Sequence, residues 1–140
     1  MFRTLFCLGL LTFSALQAEE ILINPSDSSQ EQVQEALILA KPGDTIKLQA
    51  GLYKFTDGLS LDIDNVRLIG EGMDKTILSF ADQLSGAQGL LVTSNKVVLK
   101  DFAIEDAKGD ALKVIGADGI YMINLRTEWT GGPKSTNGAY

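Results

Sequence analysis

The stretch LAKPGDTIKLQAGLYKF, residues 39–55, changes period in its middle. Leading into it, Val33, Ala36, Leu37 and Ala40 fall at i, i+3, i+4 and i+7, one face of a helix. Pro42 ends that pattern, because a proline disfavours helical geometry at Lys41 and has no N–H to donate. Beyond Gly43 the period is two. Ile46 and Leu48 alternate with Lys47 and Gln49, as in a strand buried on one face. Gly51 and Tyr53 then interrupt the alternation, so residues 51–53 are expected to turn the corner into the next sheet.

Working outward, ILIN (21–24) reads as a short strand closed by Asn24-Pro25. The helix is expected over residues 30–40, about three turns. Ser28 and Glu31 have the spacing of a capping box, and the Gln/Glu face is expected to be solvated. Downstream of Thr45 no second helix of useful length appears. Leu59, Leu61 and Ile63 alternate with polar neighbours, as do Val66 and Leu68, and Gly, Asn or Asp breaks each run.

These runs repeat. With GLSLDIDNVRLIG (58–70) laid over GLLVTSNKVVLKD (89–101), Leu59 falls on Leu90, Leu61 on Val92, Val66 on Val97 and Leu68 on Leu99. With VVLKDFAI (97–104) over IYMINLRT (120–127), Leu99 falls on Met122, Asp101 on Asn124 and Phe102 on Leu125. The second offset is 23 residues; the first is 31, which accommodates one coil plus a loop of eight. A period in the low twenties with turn residues in register marks a solenoid. Leucine-rich repeats share the period but place Leu around a fixed Asn, a motif missing here. An antiparallel sandwich would also give short alternating strands, but would not require equivalent positions at fixed spacing. In a parallel β-helix each coil supplies about three short strands, and the helix serves as a lid for the first coil.

The formal charge of -6 argues against a nucleic-acid partner, which favours a basic face. MFRTLFCLGLLTFSALQA (1–18) has a basic start at Arg3, an apolar run from Leu5 to Phe13, and small residues at Ala15 and Ala18. That is the layout of a secretory signal peptide, too short to span a bilayer comfortably. Export to the periplasm or the exterior is expected, with no membrane span after cleavage. Cys7 lies inside the signal, so the mature chain 19–140 has no cysteine and no internal disulfide.

VQEALILAKPGDTIKLQAGLYKF (33–55) resembles the start of right-handed parallel β-helix proteins of the pectin-lyase-like superfamily: a capping helix, a Pro-Gly-Asp-Thr turn, a first strand and Gly-x-Tyr. NVRLIGEGMDKTILSF (65–80) is similar to their second coil, and DALKVIGADGIYMINLRTEWTGGPKSTNGAY (110–140) resembles the bacterial exported parallel β-helix repeat proteins. The resemblance implies an all-β, right-handed parallel β-helix with an N-terminal amphipathic capping helix. It implies no single activity, because lyases, esterases, epimerases and non-catalytic proteins share this start.

Pectate-lyase-like enzymes use acidic calcium ligands and a basic residue that removes a proton beside a uronate carboxylate. The acidic candidates here are Asp101, Glu105, Asp106 and Asp110, with Glu128 one repeat above Glu105. Such a ladder offers the oxygens calcium takes, although it lacks the compact DxDxDG order of a calcium loop. It reads equally as a solvated turn region. Arg126 is the candidate partner for a uronate, or else an ordinary ion pair with Glu105 and Glu128. Trp129 is the candidate sugar-stacking ring, or else packs under the loop that follows. The chain has no His, which removes His-based triads and His-ligated metals. GADG and GEG are turn glycines without a phosphate-loop pattern.

The last residues, STNGAY (135–140), come just after a coil, with no second cap. The expectation is an N-terminal piece of a longer solenoid whose further C-terminal coils hold most of any active site. Three functions remain in play: a uronate-polymer lyase or epimerase, a non-catalytic module binding polysaccharide, metal or an envelope protein, and a structural stalk.

Overall fold

The computed structural model describes residues 17–131. The signal-peptide reading of residues 1–18 and the reading of residues 135–140 therefore lie almost wholly outside the described residues. The chain opens with β1 (Glu20–Ile23) and α1 (Ser29–Leu39). A first coil follows as β2 (Thr45–Leu48), β3 (Gly51–Lys54) and β4 (Leu59–Leu61). The second is β5 (Arg67–Ile69), β6 (Thr76–Ser79) and β7 (Gln88–Val92). The third is β8 (Val98–Glu105) and β9 (Asp110–Val114), and β10 (Tyr121–Glu128) begins a fourth.

Every strand pair is parallel. β8 serves two faces, its first residues pairing with β5 and its last with β6. The bend between them is Asp101, in the left-handed region at φ 60°. Three faces result: a first of β1, β2, β5 and the leading halves of β8 and β10; a second of β3, β6 and their trailing halves; and a third of β4, β7 and β9. The repeat read from the sequence is the register of the ladders, since Leu59 pairs with Leu90 and Leu99 with Met122.

Columns of like residues fill the interior. Ile46, Leu68 and Leu99 stack on the first face, Tyr53, Leu78 and Ile104 on the second, and Leu59, Leu90 and Leu112 on the third. Phe55 and Phe80 stack with ring centroids 5.0 Å apart. Burial of each such side chain contributes about 1.5–3 kcal/mol, and only adjacent coils make it possible.

The loop of eight expected in the longer repeat is divided between two corners. Coil two joins β5 to β6 through residues 70–75, where coil three has Asp101 alone, and joins β6 to β7 through residues 80–87, where coil three has 106–109. The corner expected at 51–53 lies instead at Gln49-Ala50, and Gly51 already belongs to β3. Gly51 sits at φ 141°, and a Cβ there would meet Pro25 Cγ at 2.5 Å. Tyr53 points inward, its hydroxyl within hydrogen-bonding distance of the carbonyls of Ile23 (2.8 Å) and Gln49 (2.9 Å).

The lid reading holds, with two corrections. Val33, Ala36 and Leu37 of α1 are buried over the first coil. The capping box does not form: Ser28 has φ -100° and ψ 21°, not the extended geometry that aims a hydroxyl back at the helix, and makes no side-chain cap. Ser29 instead accepts from the Ser26 N–H and donates to its carbonyl. Nor is the glutamine face simply wet. Gln34 accepts from the Ser60 N–H (3.0 Å) and donates to the Ser60 carbonyl (3.2 Å), while Gln30 accepts from the N–H groups of Thr56 and Asp57. These carboxamides supply β4 and the turn before it with partners where no strand lies below.

Asp44 of the Pro-Gly-Asp-Thr turn is buried and ties the lid to the coil, accepting from the N–H groups of Glu19 and Lys41 at 2.8 Å each. Those donors hold its carboxyl below the usual range, against the opposing effect of burial. A depressed folded value stabilises above the ordinary Asp pKa and is lost as pH falls through the folded one. Asp44→Asn should therefore lower the melting temperature at pH 7 by about 5 °C, with the gap to wild type closing as Asp44 protonates, measured by calorimetry across pH. Tyr53 responds at the other extreme. Burial, aided by the charge of Glu71, pushes its phenol up to about 12. Stability from the neutral phenol is complete below about pH 10 and should fall as pH rises toward 12. Tyr53→Phe should cost about 1 kcal/mol at pH 7 and remove that alkaline loss in denaturant titrations.

Candidate functional site

The acidic and basic residues singled out in the sequence gather around β8, its following turn and β10, but they do not form one cluster. Arg126 lies above Ala103 in register, and Glu128 above Glu105. The Arg126 guanidinium contacts Glu105 at 2.9 Å and Glu128 beside it, approaches Asp74 at 3.5 Å, and donates to the Met73 carbonyl at 3.0 Å. The Asp74 approach is an ion pair only, since Nε makes no hydrogen bond. Burial works against the charged guanidinium, but the hydrogen bonds and charge of Glu105, and then of Glu128, outweigh it and raise its pKa. The ion-pair reading of Arg126 is the arrangement present, enlarged by Asp74 from the 70–75 loop.

The four proposed calcium ligands each have other partners. Asp101 pairs with Lys100 at 3.7 Å and accepts from the Asn124 carboxamide at 3.0 Å, which joins two successive corners. Asp106 is buried and accepts from both the N–H and the hydroxyl of Thr130, each at 2.6 Å. Asp110 pairs with Lys113 at 3.6 Å. Asp74, Glu105 and Glu128 do converge, but on the Arg126 guanidinium, and among the described residues no three of Asp, Glu, His and Cys are grouped so that they could hold a metal ion. Trp129 packs against the core, and its indole N–H donates to the Ala107 carbonyl at 2.7 Å. Its ring is half-buried at the corner of the fourth coil.

The first face carries a different set. Outward positions pair as Thr45, Arg67, Val98 and Tyr121 in one column and as Lys47, Ile69, Lys100 and Ile123 in the next. In a chain of net charge -6 this face presents three cations, with Glu20 its one strand carboxylate. Lys47 is paired with Glu20 and Lys100 with Asp101, whereas Arg67 and the neighbouring corner residue Lys96 make no ion pair among the described residues. Both are exposed, and Tyr121 is 63% exposed. A groove of about 940 Å³ runs between them, lined also by Asp64, Asn95 and Asp118.

Its wall is a ladder of side chains. Asp64 accepts from the Asn95 N–H at 2.7 Å, and Asn95 accepts from the Asp118 N–H at 2.9 Å. Asn65 and Lys96 turn this corner with φ near 60°, and Gly119 follows at 71°. Sequence reading missed the groove because Arg67, Lys96 and Tyr121 are far apart in the chain. The outward phase of the strand alternation, read across the aligned repeats, is the signal that joins Arg67 to Tyr121.

No family model matches the chain, and no curated protein matches it. Among solved structures it is similar to the PL6-family alginate lyase AlyGC, at 16% identity and TM-score 0.60, over 86% of this chain and 18% of that one. It is also similar to a pectin methylesterase mutant in complex with a hexasaccharide, at 15% identity and TM-score 0.59, over 89% of this chain and 48% of that one. The chain thus spans less than half the length of either. At these identities the likeness is one of fold: a pectin-lyase-like parallel β-helix, with one helix closing the first coil.

Proposed function

We propose that this chain binds an anionic polysaccharide along the outer side of its first face. One observation carries the reading: the groove in which Arg67 and Lys96, among the described residues, make no ion pair, beside the exposed ring of Tyr121. Arg67 and Tyr121 are two strand spacings apart, about 10 Å. A chain of sugars crossing the strands meets a guanidinium for its acid groups and then an aromatic plane for a ring face. Asn95 and the two aspartates offer hydrogen bonds to hydroxyl groups. Two fold neighbours that act on polysaccharides, an alginate lyase and a pectin methylesterase, support the ligand class. Export guided by residues 1–18 would bring the protein to such polymers outside the cytoplasm. The reading assigns no catalytic group among the described residues.

Affinity electrophoresis in polygalacturonate, in alginate and in a neutral glucan gives the test. Retardation is expected in the anionic gels alone, weakening with added salt. Because an exposed ion pair is worth up to about 1 kcal/mol, Arg67→Ala with Lys96→Ala should weaken binding about tenfold with the melting temperature unchanged. Equal retardation in the neutral glucan, or indifference to the double substitution, sinks the reading. Parallel assays for unsaturated uronates, with and without calcium, address lyase activity separately.

A further inference from the structure

The outward side of the first face is ordered as well as basic. Each of the first three coils places one strand cation there, and the cations change column from coil to coil. Lys47 stands in the second column, Arg67 in the first, and Lys100 in the second again. In coils two and three the position beside the cation is aliphatic, Ile69 next to Arg67 and Val98 next to Lys100. Cation and aliphatic side chain thus exchange sides between these two coils. Successive cations are one strand spacing apart along the solenoid axis, about 4.8 Å, and two residues apart along the strands, about 6.6 Å. Lys96, which also borders the groove, lies at the corner and belongs to neither column.

All three cations can be reached by a ligand. Arg67 is exposed and makes no ion pair among the described residues. Lys47 and Lys100 meet Glu20 and Asp101 at 3.7 Å, beyond hydrogen-bonding distance, and each lysine side chain is 42% exposed. Such pairs contribute little and are screened by salt, so an incoming acid group readily replaces them. A 1,4-linked pyranose extends a polymer by a distance close to one strand spacing. Where each sugar is turned over relative to the last, as in a flat two-fold ribbon, acid groups borne by every sugar fall on alternating sides. We propose, on the polysaccharide reading above, that the first face selects such a ribbon: a uronan with an acid on every sugar. It lies parallel to the solenoid axis, with successive acids on Lys47, Arg67 and Lys100. Beyond Lys100 the track ends on Tyr121 and Ile123, both exposed, which meet a sugar by its ring face. A polymer with an acid on every second sugar reaches only Arg67, or only the two lysines.

Exchanging two side chains tests the alternation with charge and composition held constant. Arg67→Ile with Ile69→Arg brings all three cations into one column. Affinity electrophoresis of the full chain should show binding to polymannuronate weakened about threefold by the exchange, the weight of one exposed ion pair. Hyaluronan, with an acid on every second sugar, should bind the unaltered protein more weakly and ignore the exchange. Lys47→Ala and Lys100→Ala should each weaken polymannuronate binding about threefold with the melting temperature unchanged. If the exchange itself lowers the melting temperature, these two substitutions decide. Polymannuronate binding that survives the exchange in a stable protein, or ignores both lysine substitutions, overturns the proposal and leaves an unordered anion-binding patch. Hyaluronan bound as tightly as polymannuronate overturns it too. Absence of binding to any uronan removes the polysaccharide reading itself, and the ribbon with it.

Discussion

A coil of twenty-odd residues encloses nothing by itself, and the rest of this structure follows from that constraint. Its inward side chains become buried only when another coil lies against them, and its strands find hydrogen-bond partners only above and below. The columns Ile46–Leu68–Leu99 and Tyr53–Leu78–Ile104 are therefore the unit of stability, more than any single strand. The first coil faces the problem at its sharpest, since β1 covers only one of its three faces.

The lid solves two problems with one helix. Its apolar stripe closes the interior with Val33, Ala36 and Leu37. Its glutamines imitate a strand: the Gln34 carboxamide offers an acceptor and a donor to Ser60 as a neighbouring backbone would. Asp44 then fixes the junction by drawing the N–H groups of Glu19 and Lys41 to one carboxylate. An acidic residue in the Pro-Gly-Asp-Thr turn is thus a fastening between the start of β1 and the end of the helix.

Most of the fold was legible in the sequence because the physics that builds it is periodic. Register between coils requires like residues at like positions, so Leu59 over Leu90 and Leu99 over Met122 could be read by sliding the chain along itself. Local details were harder. The Ser28–Glu31 spacing fits a capping box, but the backbone angles at Ser28 decide whether it forms, and spacing does not contain them. The division of the long repeat between residues 70–75 and 80–87 was hidden because an offset reports only total length. The candidate site divides the same way. Arg126 beside Glu105 and Glu128 follows from register, whereas Asp74 arrives through a loop whose path no periodicity encodes. The groove at Arg67 and Tyr121 needed attention to the outward phase of the strands, while the inward phase drew the reading.

Coil two is eight residues longer than coil three, yet the ladders on either side keep their register. Length is therefore absorbed at corners and never transmitted along the stack. The corner between the third and first faces keeps nearly the same length in each coil, as residues 62–66, 93–97 and 115–120, held by the chain of Asp64, Asn95 and Asp118. The two corners flanking the second face vary. A lineage of such proteins can thus lengthen one side of the cylinder to explore new surfaces while the opposite side continues to count rungs. Novelty and scaffold are segregated by geometry within a single turn of chain.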